Sequence, residues 1–95
     1  MIETQKWDAS RYLNSQEEML EYLNACMETG DAKLIQSAIG DIAKAQGMSE
    51  IAQQAGVGRE SLYKSLSDTG NPSFKTILNV IHALGGNLTV TPISA

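Results

Sequence analysis

The chain is poor in the residues that most chemistry requires. Its 95 residues include one cysteine, one histidine, one tryptophan, one phenylalanine and two prolines. A lone Cys26 cannot form an intrachain disulfide, and beside Leu23 and Met27 it reads as a small core residue rather than a nucleophile. A lone His82 with no paired cysteines leaves no zinc spacing. There is also no phosphate-cradling glycine loop and no nucleophile elbow, so neither an enzyme nor a bound cofactor is expected. No apolar run approaches membrane-spanning length, and Met1 to Ser10 has no signal-peptide core. A cytoplasmic protein is therefore expected.

Positive charge is scarce as well. Seven Lys and Arg stand against eleven Asp and Glu, giving a net charge of −4. Such a balance is unusual for a chain that binds phosphate backbones, where Lys and Arg supply much of the affinity. The excess is local, however. Through Ile39, three basic residues (Lys6, Arg11, Lys33) face seven acidic ones (Glu3, Asp8, Glu17, Glu18, Glu21, Glu28, Asp31). From Gly40 onward, Lys44, Arg59, Lys64 and Lys75 balance Asp41, Glu50, Glu60 and Asp68. Any affinity for DNA should be modest per subunit, and the acidic half is free to face a different partner.

What the chain does hold is 42% hydrophobic residues in helical patterns, enough for one compact domain with a modest core. Met1 to Asn14 is a lead-in with a short helical turn at Ala9 to Leu13, and Trp7 and Tyr12 are expected to pack on the domain. Ser15 with Glu18 forms a capping box for a helix from Gln16 to Glu28, whose buried face is Met19, Leu20, Tyr22, Leu23, Cys26 and Met27. Glu17, Glu18 and Glu21 suit the positive end of its dipole. Gly30 stops it. Asp31 caps a second helix, Ala32 to Gln46, with Leu34, Ile35, Ala38, Ile39, Ile42 and Ala43 as its apolar stripe. Gly40 inside that helix costs about 1 kcal/mol relative to alanine and points to close approach by a neighbour.

Gly47 to Leu66 carries two short helix signals around a tight turn. Ser49 is read as the cap of a helix from Glu50 to Ala55, and Gly56 closes it in a left-handed conformation. Val57 turns inward, Gly58 caps, and Arg59 to Leu66 buries Leu62 and Leu66. So short a connection forces the two helices to cross steeply, as in a helix-turn-helix, and projects the second outward. Its residue types suit a major groove. Arg59 can pair with guanine, Glu60 can accept from cytosine, Ser61 can bond either way, and Lys64 can reach a base or a phosphate. Tyr63 lies on the same exposed face.

Beyond Leu66, SDTGNPS is a turn-forming loop in which Gly70 and Asn71 can take positive φ. Ser73 caps a last helix that presents Phe74, Ile77, Leu78, Ile81 and Leu84 to the core. Ser67, Asn71 and Lys75 are placed to touch phosphates. After Gly85 and Gly86, Asn87 to Ile93 reads as one strand. A lone strand has no partner in its own molecule, so it is expected to pair with a second copy or with a sheet edge of a bound protein.

The stretch from Gly47 to Leu66 resembles the helix-turn-helix of the phage Cro and repressor (XRE-type) class, with Ala52, Gly56 and Leu62 at that class's spacings. A wider likeness covers nearly the whole chain. The segments YLNSQEEMLEYLNACMETGD and IGDIAKAQGMSEIAQQAGVGRESLYKSLSDTGNPSFKTILNVIHALGGNLTV resemble the addiction-module antidote family, the antitoxin halves of toxin–antitoxin pairs of the host-inhibition-of-growth type. SLYKSLSDTGNPSF is the most specific part. Glycine at position 58 departs from the serine usual there. The resemblance implies a cognate toxin, a ribonuclease of RelE/ParE-like fold, for which Trp7 or the acidic cluster would be the contact.

Together these readings give an all-α, five-helix lambda-repressor-like DNA-binding domain. An acidic helical extension (1–30) precedes the helix-turn-helix unit (31–86), and a C-terminal strand (87–95) serves dimerisation. The expected function is an antitoxin that represses its own operon as a homodimer on palindromic operator DNA and neutralises the toxin. Ser49 joins the DNA-contacting residues already named: Arg59, Glu60, Ser61, Tyr63, Lys64, Ser67, Asn71 and Lys75. The alternatives are a phage-type repressor with no toxin, or a protein-interaction module on the same fold that has lost DNA binding.

Overall fold

A computed structural model describes residues 15–93. The expectations for Trp7, Tyr12 and a helical turn at 9–13 fall outside the described residues. Within them are five helices and no strand: α1 (Gln16–Glu28), α2 (Ala32–Gln46), α3 (Met48–Ala55), α4 (Arg59–Ser65) and α5 (Phe74–Ala83). Among the described residues no helix is long and apolar enough to cross a membrane.

The first two helices begin where side-chain caps place them. Ser15 Oγ accepts from the Glu18 amide at 3.1 Å, and Asp31 Oδ1 accepts from the amides of Lys33 and Leu34. These bonds satisfy orphan donors of the first turn, which otherwise destabilise a helix start. The third helix starts two residues earlier than expected. Met48 is buried at the start of α3, the cap is Gly47, and the Gly47 carbonyl receives the Ile51 amide at 3.0 Å. Ser49 is thus an exposed residue of the first turn and not a cap. Burial of the Met48 side chain draws that residue into the helix.

Gly56 takes the left-handed conformation (φ 76°), and Gly58 caps α4 with no side-chain bond. Between them Val57 packs inward on the core. The core is drawn from every helix. Met19, Leu23 and Cys26 of α1 meet Ala38, Ile39, Ile42 and Ala43 of α2, and the cluster continues through Ile51, Ala52, Leu62, Leu66, Val80, Ile81 and Leu84. α3 lies chiefly against α5, while α1 lies against α2. Gln16 adds a polar tie across the molecule, donating from Nε2 to the Leu84 carbonyl at 2.8 Å. Among the described residues no buried side-chain polar atom lacks a partner.

Three further expectations are corrected. Phe74 is not a core residue: it is 69% exposed. A helical side chain leans toward its own helix's N-terminus, and at the first position of α5 that direction leads past the last packed turn. Neither Gly70 nor Asn71 has positive φ. Gly70 is required for space, since a Cβ there would run into the carbonyl oxygens of Lys64 and Ser65. Finally, Asn87 to Ile93 forms no strand. No hydrogen bond joins it to the other described residues, and Val90 and Ile93 are 95% and 94% exposed. An alternating sequence favours extended backbone, but a strand exists only with a hydrogen-bonded neighbour.

Candidate nucleic-acid interface

α4 is only seven residues long, too short to persist on its own conformational preference. Packing therefore holds it. Leu62 is 1% exposed and Leu66 6%, and this buried edge fixes which side of α4 turns outward. Arg59, Glu60, Ser61, Tyr63 and Lys64 are all exposed. The sequence thus brings a guanidinium, a carboxylate, a hydroxyl, a phenol and an ammonium onto one short helix mounted at the surface. A major groove accepts an element of that size, and these groups match base edges and phosphates.

The C-terminal end of α4 is closed by side chains. Ser65 Oγ donates to the Leu62 carbonyl at 3.1 Å, and Ser67 Oγ donates to the Lys64 carbonyl at 2.7 Å. The second bond uses the only proton of the Ser67 hydroxyl, so contact with a phosphate from Ser67 requires that hydroxyl to turn. Asn71 and Lys75 are exposed, one at the end of the loop and one in the first turn of α5. Ser73 caps α5 by accepting from the Thr76 amide at 3.1 Å.

Three contributions from α2 carry no sequence signal. Gln36 Nε2 donates to the carbonyls of Ser65 (3.3 Å), Ser67 (2.7 Å) and Gly70 (3.2 Å), and Lys33 Nζ donates to the Asp68 carbonyl at 2.6 Å. Lys44 Nζ stands 5.3 Å from the centre of the Tyr63 ring. Tyr63 therefore leans toward α2 and borders a cleft of about 220 Å³ whose walls include Lys33, Gln36, Asp41, Lys44 and Asp68. Charges of both signs line this cleft. Ser49 is exposed in the first turn of α3. Among the described residues no group of three His, Cys, Asp or Glu side chains is placed to hold a metal.

Charge is distributed as the sequence indicates. Glu17, Glu18, Glu21 and Glu28 of α1 are all exposed, on an element separate from α4. Beside them a groove of about 650 Å³ runs between α1 and the C-terminal segment, with Leu20, Leu23, Met27 and Leu88 among its walls. At the edge of the core, partial burial pushes the Tyr22 phenol up to about 12, with Cys26 and Asp41 nearby adding to the effect.

Comparison with known proteins bears on the whole chain. A family model described as "Probable addiction module antidote protein" matches residues 3–92. An uncharacterized protein of Haemophilus influenzae (strain ATCC 51907 / DSM 11121 / KW20 / Rd) is 50% identical over 78 residues, covering 82% of this chain and 80% of that protein. No solved structure matches the chain. Antidotes of addiction modules are neutralising, regulatory proteins rather than enzymes, and each implies a cognate toxin as partner. With a match from residue 3 to residue 92, the chain belongs to the addiction-module antidote family and is the antitoxin of a toxin–antitoxin module.

Proposed function

We propose that this antitoxin binds DNA through α4, represses its own operon as a homodimer, and neutralises a ribonuclease toxin of RelE/ParE-like fold. The observation that carries the DNA half is the orientation of α4. Leu62 and Leu66 anchor it, and Arg59, Glu60, Ser61 and Lys64 face out together. With Gly56 in the left-handed turn, α3 and α4 form a helix-turn-helix of Cro/repressor (XRE) type on a lambda-repressor-like domain spanning residues 31–86. Arg59 and Lys64 reach base edges, Glu60 and Ser61 add selectivity, and Ser49, Asn71 and Lys75 hold phosphates on either side. Tyr63 and Ser67 border the same surface.

The balanced charge of this half makes one subunit a weak binder, so two are used. A symmetric pair places two α4 helices one turn of DNA apart, and two weak half-sites then act together. Val90 and Ile93, apolar and almost fully exposed, are the surface available to a second copy. The acidic face of α1 supports the toxin half, because a toxin that holds RNA by its phosphates needs a basic surface, and an acidic face complements one.

The net charge of −4 favours a second reading, an interaction module that keeps the fold without binding DNA. Co-expression with the product of the adjacent gene tests the antitoxin assignment. Growth arrest by that product alone, relieved when this chain is present and accompanied by a co-purifying complex, is the expected result. Arrest that persists with both proteins folded and present would count against it.

A further inference from the structure

Lys33, Gln36, Gly40 and Lys44 recur at spacings of three and four, so they share one face of α2. Each meets α4 or the loop that follows it. Lys33 holds the Asp68 carbonyl, Gly40 lies against Leu66, and Lys44 lies over Tyr63. Gln36 does the most. Its one amide nitrogen gathers the carbonyls of Ser65, Ser67 and Gly70, the last residue of α4 and two points of the loop. An amide has two protons, so three acceptors are shared unequally, with the shortest bond, 2.7 Å, to Ser67. Gly70 completes the arrangement. Only a residue without a Cβ lets the chain pass so close to the Lys64 and Ser65 carbonyls that Gln36 can reach all three acceptors.

These contacts fix more than a helix end. Asn71 follows Gly70 directly, so the position of the Gly70 carbonyl sets where Asn71 stands relative to Arg59 and Lys64 on α4. Phosphate contacts set the register in which a recognition helix meets its bases, and register depends on the distance between the two kinds of contact. We propose that Gln36 is a positioning residue of the DNA-reading surface. Through the Ser65, Ser67 and Gly70 carbonyls it holds the loop's phosphate contact at Asn71 in fixed register with the base-reading end of α4. This rests on the DNA-binding reading above and adds to it a specificity role for a residue that touches no DNA.

The test uses the full chain and DNA from its own promoter, with unrelated DNA of equal length as reference. Gln36→Met keeps the length of the side chain and removes the donor. Operator affinity should fall roughly 5- to 30-fold, a factor that one or two kcal/mol carries, while affinity for unrelated DNA stays near the wild-type value. Asn71→Ala should weaken the wild type but cost almost nothing further in the Gln36→Met background, because the contact is already misplaced. Gln36→Lys retains a donor and should restore the ratio of operator to unrelated binding. Circular dichroism establishes that each variant is folded at the assay temperature. If Gln36→Met does not fold, Gln36→Asn takes its place, since it keeps the amide but falls short of the carbonyls, and the same losses and coupling are expected. Unchanged operator selectivity, or fully additive losses from Gln36→Met and Asn71→Ala, would overturn the assignment. If the wild type itself binds no promoter DNA, the DNA-binding reading falls and the assignment falls with it, a result distinguishable from the first because it appears before any substitution is made.

Discussion

The ammonium of Lys44 lies 5.3 Å from the centre of the Tyr63 ring, joining the C-terminal part of α2 to the middle of α4. Both residues are exposed, so the contact is a partly hydrated cation–π pair of about 0.5–1 kcal/mol. A double-mutant cycle on Lys44→Ala and Tyr63→Leu, read by urea unfolding, should return a coupling of that size. Zero coupling would mean that the two side chains do not meet in solution.

Gly40 gives a prediction of opposite sign to its usual reading. A Cβ there would sit 3.5 Å from the Leu66 carbonyl oxygen and 3.7 Å from the Leu66 Cβ, which is ordinary contact. Alanine therefore fits, and it removes the helix penalty of glycine. Gly40→Ala should stabilise the protein by up to about 1 kcal/mol in urea unfolding. A destabilised variant would show α2 and α4 to be closer than described.

Leu62 and Arg59 separate fold from recognition within one helix. Leu62 is 1% exposed, so Leu62→Ala should cost about 2–5 kcal/mol of stability. Arg59 is exposed, so Arg59→Ala should leave the thermal transition in place. It should nonetheless weaken operator binding by about 1–3 kcal/mol if the guanidinium pairs with a guanine. Full operator affinity at fixed salt would remove Arg59 from the reading surface.

Tyr22 sets an alkaline limit. Burial raises its phenol to about 12 from an ordinary value of 10, so the folded protein holds this proton where the unfolded chain releases it. Its contribution is therefore complete below pH 10 and is lost as pH rises from about 10 to 12. Wild-type stability should fall more steeply across that window than the stability of Tyr22→Phe. Parallel pH profiles for the two proteins would contradict the assignment.

The legible parts of this fold are those written in local chemistry. The bounds of α1 and α2 follow from Ser15 and Asp31, whose side chains cap them, and from the glycines that end them. The start of α3 is not legible, because Gly47 carries no side-chain cap and Met48 is apolar enough to join either the turn or the helix. Phe74 fits the apolar period of α5, yet periodicity does not report where a neighbouring element stops covering a helix. The C-terminal segment alternates, but whether alternation becomes a strand depends on a partner. At the candidate site, α4 and its exposed groups could be read from sequence. Gln36 and Lys44 could not, because a polar residue on one helix gives no sign that it will meet carbonyls or a ring on another.

The central claim, that this antitoxin reads DNA through α4, is tested most directly by a band-shift titration of the purified protein against its own promoter at two salt concentrations. Binding in the nanomolar to micromolar range that weakens with salt and is poorly competed by unrelated DNA is the predicted result. Absence of binding at low salt, with the protein folded, would contradict the claim and leave the chain as an interaction module built on the same five helices.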